Sequence, residues 1–316
     1  VRALRRFSFV LTLARLRLSR RLGRVLLAAV GIAAGAATLA TVLGAGMVAQ
    51  DKSLGRALRA LPADQRVVRG SWFGTAVDQA GFRDLDAGVR RAFHGIASQP
   101  PIRTVQFRQT NIAGQGFDLA AADRLSHWVR LRSGRLPREC RPQRCEVLQV
   151  AGTGPIPRAA GLHLVRVGTG DLVSAVPFQQ TSSYGRPVED IYSFVPPSER
   201  PPFLLTDDVG GASSLPLLRP IFRSYAWVFP LVPADVHPWA LGELASRVEQ
   251  ARSTLTAKTF YFDVSDPTAE LAPAVSANRV TSRRLLLVGG QAAALLLAFV
   301  VLVAAGGRSE AAATRA

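Results

Sequence analysis

Two long runs without a single charged residue bracket a polar middle, and this layout limits the possible folds more than any motif in the chain. The first run is residues 25–49, 25 positions long. The second is residues 285–307, 23 positions, whose most polar member is Gln291. A helix rises about 1.5 Å per residue, so each run is long enough to cross a hydrocarbon layer of roughly 30 Å. Between them lie 235 residues, 50–284, with the composition of a folded unit. The expected fold is an α+β extracytoplasmic domain on helical stalks between two transmembrane helices. The expected segments are a cytoplasmic amphipathic helix (1–24), the first transmembrane helix (25–49), the domain with its stalks (50–284), the second transmembrane helix (285–307) and a cytoplasmic tail (308–316).

Charge gives the orientation. Residues 1–24 carry eight arginines and no acid, which marks the cytoplasmic side of a span. Two spans return the C-terminus to the same side, so the domain is expected outside, in a multi-pass protein of the cell membrane. Arg279, Arg283 and Arg284 lie just before the second run and pull the other way. Long loops translocate largely regardless of charge, so the N-terminal cluster carries more weight. The first run also exceeds the roughly 7–15 apolar residues of a signal peptide, so an uncleaved anchor is expected.

The net charge of +17 does not point to nucleic acid. Residues 1–24 supply +8 of it, and the excess of +8 in residues 50–284 forms no dense basic stripe. Arginine outnumbers lysine 37 to 2, which reflects coding bias. The two cysteines, Cys140 and Cys145, fall in the expected outside domain. An oxidising compartment favours a disulfide. Two free thiols, or a zinc ion shared with His127 or His163, are the alternatives.

The periodicity of the segments fills in the layout. Leu4, Phe7, Leu11, Ala14 and Leu18 form one helical stripe among the arginines, as in a helix lying on an anionic membrane surface. Gly31 and Gly35 form a GxxxG in the first run, a small face for helix packing. The helix is expected to continue to about Ala60, where Pro62 stops it. Asp266-Pro267 is a helix start, leading through Leu271 and Val275 into the second run past Pro273. Expected strands are 66–69, 102–109, 128–132, 146–150, 162–167, 172–178, 224–231 and 259–264. Expected helices are 82–96 and 239–255. Residues 178–220, rich in Pro, Ser and Gly, are expected as surface loops or an insertion.

No constellation of catalytic residues stands out. The four histidines are scattered, no serine sits in GxSxG, and the Gly152-Thr153-Gly154-Pro155 turn lacks the GK[ST] of a phosphate loop. Asp207-Asp208, Glu189-Asp190 and Asp84/Asp86 read as solvated pairs. Val288-Gly289-Gly290-Gln291 superficially matches the signature motif of transport ATPases, but it lies inside an apolar run. Neither run carries an ionisable residue, which speaks against an ion path. The expectation is a chain that is not an enzyme and binds no cofactor or metal.

One segment is more specific. Residues 133–147 read SGRLPRECRPQRCEV, and this resembles a segment of actinobacterial permeases of the FtsX-like, MacB-like class: SGRLP, a few residues, then a CEV-type strand. Residues 224–228 (SYAWV) and 283–290 (RRLLLVGG) are similar to other stretches of the same proteins. The resemblance covers essentially the whole chain. It implies a permease working with a separate cytoplasmic ABC ATPase, which binds the ATP and drives motion through the spans to the outside domain. Family substrates include lipoproteins, peptides and antibiotics, and some members regulate cell-wall hydrolases. The resemblance also implies membrane lipids and a permease dimer or pseudo-dimer as partners. It places a coupling segment after the second span, here Arg308, Glu310 and Arg315. The family's minimal unit has at least four spans, so this chain is expected to be an N-terminal portion of such a permease. The alternative layout is a two-span receptor with an outside sensor domain, of the histidine kinase or chemoreceptor type.

Overall fold

The computed structural model describes residues 2–313 except 64, 75–78, 113, 153, 175, 179–195, 197, 198 and 260; for residues 2–25, 27, 28, 79, 80, 108, 109, 278, 279, 281, 282, 285 and 300–313 it describes the backbone alone. The fold is mixed α/β. The chain divides into two units, one formed by Leu54–Ala272 and the other by Val1–Ser53 with Pro273–Ala316.

The second of these units is helical. Helix α1, Arg2–Ala60, is one uninterrupted element of 59 residues. Among the described residues, one stretch, Ala29–Ala60, is long and apolar enough to cross a membrane, and Leu286–Phe299 is a shorter apolar stretch. Val30, Met47, Leu287 and Leu295 are more than half exposed. Thr38 and Thr41 return their hydroxyls to the carbonyls of Ala34 and Ala37, each at 2.8 Å, which hides those polar groups on the helix itself.

The domain, Leu54–Ala272, is built on a split βαβ plan. Strand β1 (Val67–Gly74) is followed by helix α2 (Gln79–Ala92) and strand β2 (Ile102–Ile112). Late in the chain, strand β10 (Arg223–Pro230) is followed by a helix at Leu241–Lys258 and strand β11 (Phe262–Ser265). The four strands pair antiparallel in the order β11-β1-β10-β2. This is the ferredoxin-like arrangement, in which each helix crosses over a strand contributed by the other half. Tyr225, Trp227 and Phe229 alternate along β10 toward α2. Their rings lie 4.8 Å from Phe82 (Tyr225), 6.4 Å from Phe82 (Trp227) and 4.8 Å from Phe93 (Phe229). Val228 points the other way, into a cluster with Val67, Ile102 and Val176, as the two-residue period of a strand requires.

The other half of the domain is inserted between β2 and β10. It contains β3 (Gln115–Ala122), β4 (Val129–Gly134), β5 (Cys140–Arg141), β6 (Arg144–Ala151), β7 (Arg158–Ala159), β8 (Leu162–Leu172), β9 (Phe203–Thr206) and the short helix α3 (Val209–Ser213). The sheet continues through it as β2-β3-β9-β6-β8-β4 among the described residues. Pairs β3/β9 and β6/β8 are parallel. Its core joins Ala120, Leu125, Leu148, Phe178, Phe203 and Leu205.

Several sequence expectations change here. Residues 178–220 are not all surface loop. Phe203–Thr206 is a fully buried central strand and Val209–Ser213 a helix. Residues 179–195 lie outside the described residues. Residues 172–178 end in a 3-10 turn at Val176–Phe178 rather than a strand. Strand β11 begins at Phe262, not at 259, because Tyr261 takes a left-handed backbone with φ of 62° and breaks the extended run.

With the Leu241–Lys258 helix numbered α4, the last element is helix α5, Thr268–Ala313, 46 residues with Pro273 inside. Its start is capped by Asp266, whose carboxylate accepts from the Thr268 N–H at 2.9 Å.

Candidate functional site

The residues join at three places: the roots of the long helices, a locked hairpin, and a cleft between α2 and α4.

The roots come first. Leu54 and Leu58 in the last turns of α1 are fully buried in the domain, and so is Leu271 in the first turn of α5. Residues 61–66 connect α1 to β1, and β11 runs through Asp266 and Pro267 into α5. Strands β1 and β11 are hydrogen-bonded neighbours, with Arg69 opposite Ser265 and Trp72 opposite Phe262. The chain therefore enters and leaves the domain at the same end of one antiparallel ladder. Arg252 on α4 ties this corner down. It donates to the Val264 carbonyl at 3.0 Å and lies 3.6 Å from the Asp266 carboxylate.

The locked hairpin is the segment 133–147. Gly134 ends β4 with φ of 76°, and a side chain there would lie 2.2 Å from the Val167 carbonyl. Only glycine fits that turn. The chain then places Arg135 against Glu146 as a two-pronged pair, with both bonds at 2.6 Å. Arg144 adds a contact at 3.2 Å and the Arg138 N–H donates at 3.1 Å. The Arg135 hydrogen bonds, ahead of the Arg138 N–H and the charges of both arginines, hold the Glu146 carboxyl down at about 2 against the opposing effect of burial. The Glu146 side chain is 5% exposed while those of Arg135 and Arg144 are 42% and 56% exposed. The carboxylate is thus shallow, roofed by its own arginines. Cys140 and Cys145, opposite each other on β5 and β6, are joined as a disulfide and are buried. Asp208 caps α3 through the Gly211 N–H at 2.7 Å and accepts from the Cys140 N–H at 3.2 Å. A side chain on Gly211 would lie 2.0 Å from the Cys140 carbonyl, so α3 is pressed onto the hairpin.

A second polar network joins the two halves of the domain. Arg103 forks onto Asp123 at 2.7 and 3.0 Å and reaches Asp86 at 3.6 Å. Asp86 also takes the Trp227 indole N–H at 2.8 Å. The Asp123 hydrogen bond, more than the charges, raises the Arg103 pKa, so this guanidinium stays ionised. Asp207 accepts from the Leu125 N–H at 2.9 Å, and burial raises its carboxyl. Every one of these carboxylates is engaged in structure, and no group of His, Cys, Asp and Glu able to hold a metal occurs among the described residues.

The cleft lies between the facing stripes of α2 and α4 and encloses about 1230 Å³. Nothing in the sequence marks it, because its walls come from opposite ends of the domain.

The residues singled out from the sequence fall as follows. Gly31 and Gly35 are half-buried on α1. A side chain added at Gly35 would meet nothing within 4 Å, whereas one added at Gly289 of α5 would sit 3.1 Å from Val42. The close approach between α1 and α5 is therefore made at Gly289. Arg308 and Glu310 lie on the described backbone of α5, and Arg315 lies outside the described residues.

No protein-family model matches this chain, and no curated protein matches it either.

Proposed function

We propose that this chain is part of the permease subunit of an ABC-type transporter or mechanotransmission complex. In this reading α1 and α5 both cross the cell membrane, the N-terminal arginines lie in the cytoplasm, and the domain lies outside. A separate cytoplasmic ATPase binds ATP and engages the segment containing Arg308, Glu310 and Arg315. The small-residue face at Gly31 and Gly35 packs on further helices of the permease or on its dimer partner.

One observation carries the reading. Two long helices are rooted in the domain at the same end of two paired strands. A helix keeps its length because its hydrogen bonds are internal. Axial displacement of one helix against the other therefore arrives as shear on the β1/β11 ladder. In this reading the domain is a receiver for helix motion.

The test breaks the rod. Gly-Gly-Ser is inserted after Arg279 in the complete permease, co-expressed with its ATPase. ATP binding and membrane insertion are expected to persist while the ATP-dependent change in protease protection of the outside domain disappears. Protection that still responds to ATP after the insertion rules out α5 as the transmission path.

A further inference from the structure

We propose that the cleft between α2 and α4 binds an anionic amphiphile, a phosphate or carboxylate carried on an apolar body. The inference goes beyond the permease reading and stands independently of it, since it concerns binding and not coupling.

The walls argue for it. On α2, residues at helical spacing face the gap, from Asp84 and Gly88 to Arg91. On α4 the facing stripe runs from Arg247 to Lys258, and Arg219 closes one side. Four cations and one acid thus line a volume of about 1230 Å³, larger than the roughly 300–1,000 Å³ of a typical small-molecule site and able to take a ligand with a sizeable apolar body. Arg247 is engaged, pairing with Glu243 at 2.5 Å and donating to the Gly95 carbonyl at 2.9 Å. The side chains of Arg91, Arg219 and Lys258 make no ion pair among the described residues. Other arginines of the domain pair with carboxylates, as Arg103 does with Asp123, Arg135 with Glu146, Arg132 with Asp171 and Arg252 with Glu249. Three exposed cations lining one cleft give it a positive potential that favours an anion.

The floor supplies the second half of the chemistry. Trp72 is only 9% exposed and lies at the base of the cleft beside Leu85 and Leu255. A simple inorganic anion leaves this apolar floor wet. A ligand with an apolar body covers the half-buried apolar lining around it, Leu85 and Ala92, and gains their burial. Cationic rim and apolar floor together select a molecule with both parts, and the shared chemistry fits either an anionic lipid headgroup region or a free aryl or alkyl phosphate.

Gly88 makes the idea testable without risk to the fold. It lies mid-helix, and a side chain there would meet nothing within 4 Å. Gly88→Phe projects a ring into the cleft while favouring the helix. Binding of 1-naphthyl phosphate is measured by calorimetry on the full chain in phosphatidylcholine nanodiscs, beside inorganic phosphate and 1-naphthol. Naphthyl phosphate is expected to bind at least tenfold more tightly than either. Gly88→Phe and the pair Arg91→Ala/Lys258→Ala are each expected to weaken it about tenfold or more, while Arg130→Ala on β4 leaves it unchanged. Phosphatidylglycerol nanodiscs that displace the probe identify a membrane lipid as the source, and failure to displace it identifies a soluble ligand; both support the site. Equal binding of phosphate, of naphthol, or of the probe to Gly88→Phe overturns it.

Discussion

Replacing Glu146 with Gln removes one charge from the locked hairpin and leaves its shape. The wild-type carboxyl is held at about 2 instead of its ordinary 4.5, chiefly by the two 2.6 Å hydrogen bonds from Arg135. A group whose folded pKa is depressed contributes stability above its unfolded pKa and loses it as pH falls toward the folded value. The contribution of Glu146 is therefore complete at pH 7 and fades between pH 4.5 and about 2. Taken at face value the depression would be worth about 3 kcal/mol. Both arginines keep roughly half of their side chains in water, so screening reduces this to about 1–2 kcal/mol. For a domain of this size that corresponds to a fall in Tm of about 2–8 °C. All four tryptophans lie between residues 72 and 239, so their fluorescence reports melting of the domain and not of the long helices. Glu146→Gln is expected to melt lower than wild type at pH 7, with the gap closing steadily below pH 4.5. A gap that stays constant from pH 7 to pH 3, or no gap at pH 7, would falsify the assignment of this stability to the ionised carboxylate.

Three further outcomes are expected. Changing Cys140 and Cys145 together to Ser lowers stability by about 2 kcal/mol without abolishing folding, and mass spectrometry of the wild type finds no free thiol; free thiols in protein purified without reductant would exclude the disulfide. Leu58→Ala, at a fully buried root of α1, costs about 2–5 kcal/mol by thermal melting; a loss under 1 kcal/mol would mean that the helix end is not held in the core. A cysteine at Arg200 reacts with a membrane-impermeant thiol reagent on intact cells, and labelling only after lysis reverses the proposed orientation.

The elements legible in the sequence are those whose signals are local. Pro62 marks the end of α1, and Asp266 with Pro267 marks the start of α5. Strands β2, β6 and β10 carry enough β-branched and aromatic residues to be placed within a few positions, whereas β1 and β8 run five residues past the expected 66–69 and 162–167. Strand β3 is different. Its Ala-rich half, residues 119–122, has poor strand propensity and is extended because β2 and β9 pair with it on either side. Strand β9 is four residues long and follows Pro201-Pro202, so its surroundings read as loop; its place in the middle of the sheet is set by tertiary pairing. The Arg135–Glu146 lock lay within a stretch that could be picked out by resemblance, yet the pairing depends on the turn at Gly134 and on the β5/β6 register. The cleft was invisible, since α2 and α4 become neighbours only when β10 inserts between β1 and β2.

The split βαβ plan has a mechanical consequence for the two features that the sequence kept apart. Strand β11 lies at the end of the sheet, is four residues long and pairs with β1 alone among the described strands. It is thus the element of that half held by the fewest ladder hydrogen bonds, and it is the one directly joined to α5. Arg252 bonds α4 to Val264 of β11 and to the Asp266 cap. A force on the first turn of α5 therefore reaches the β1/β11 ladder directly and α4 through a charged hydrogen bond. Helix α2 is fixed differently, by Phe82 and Phe93 stacked on β10 and by Asp86 bonded to Trp227. One wall of the cleft is anchored to the centre of the sheet and the other to its loose edge.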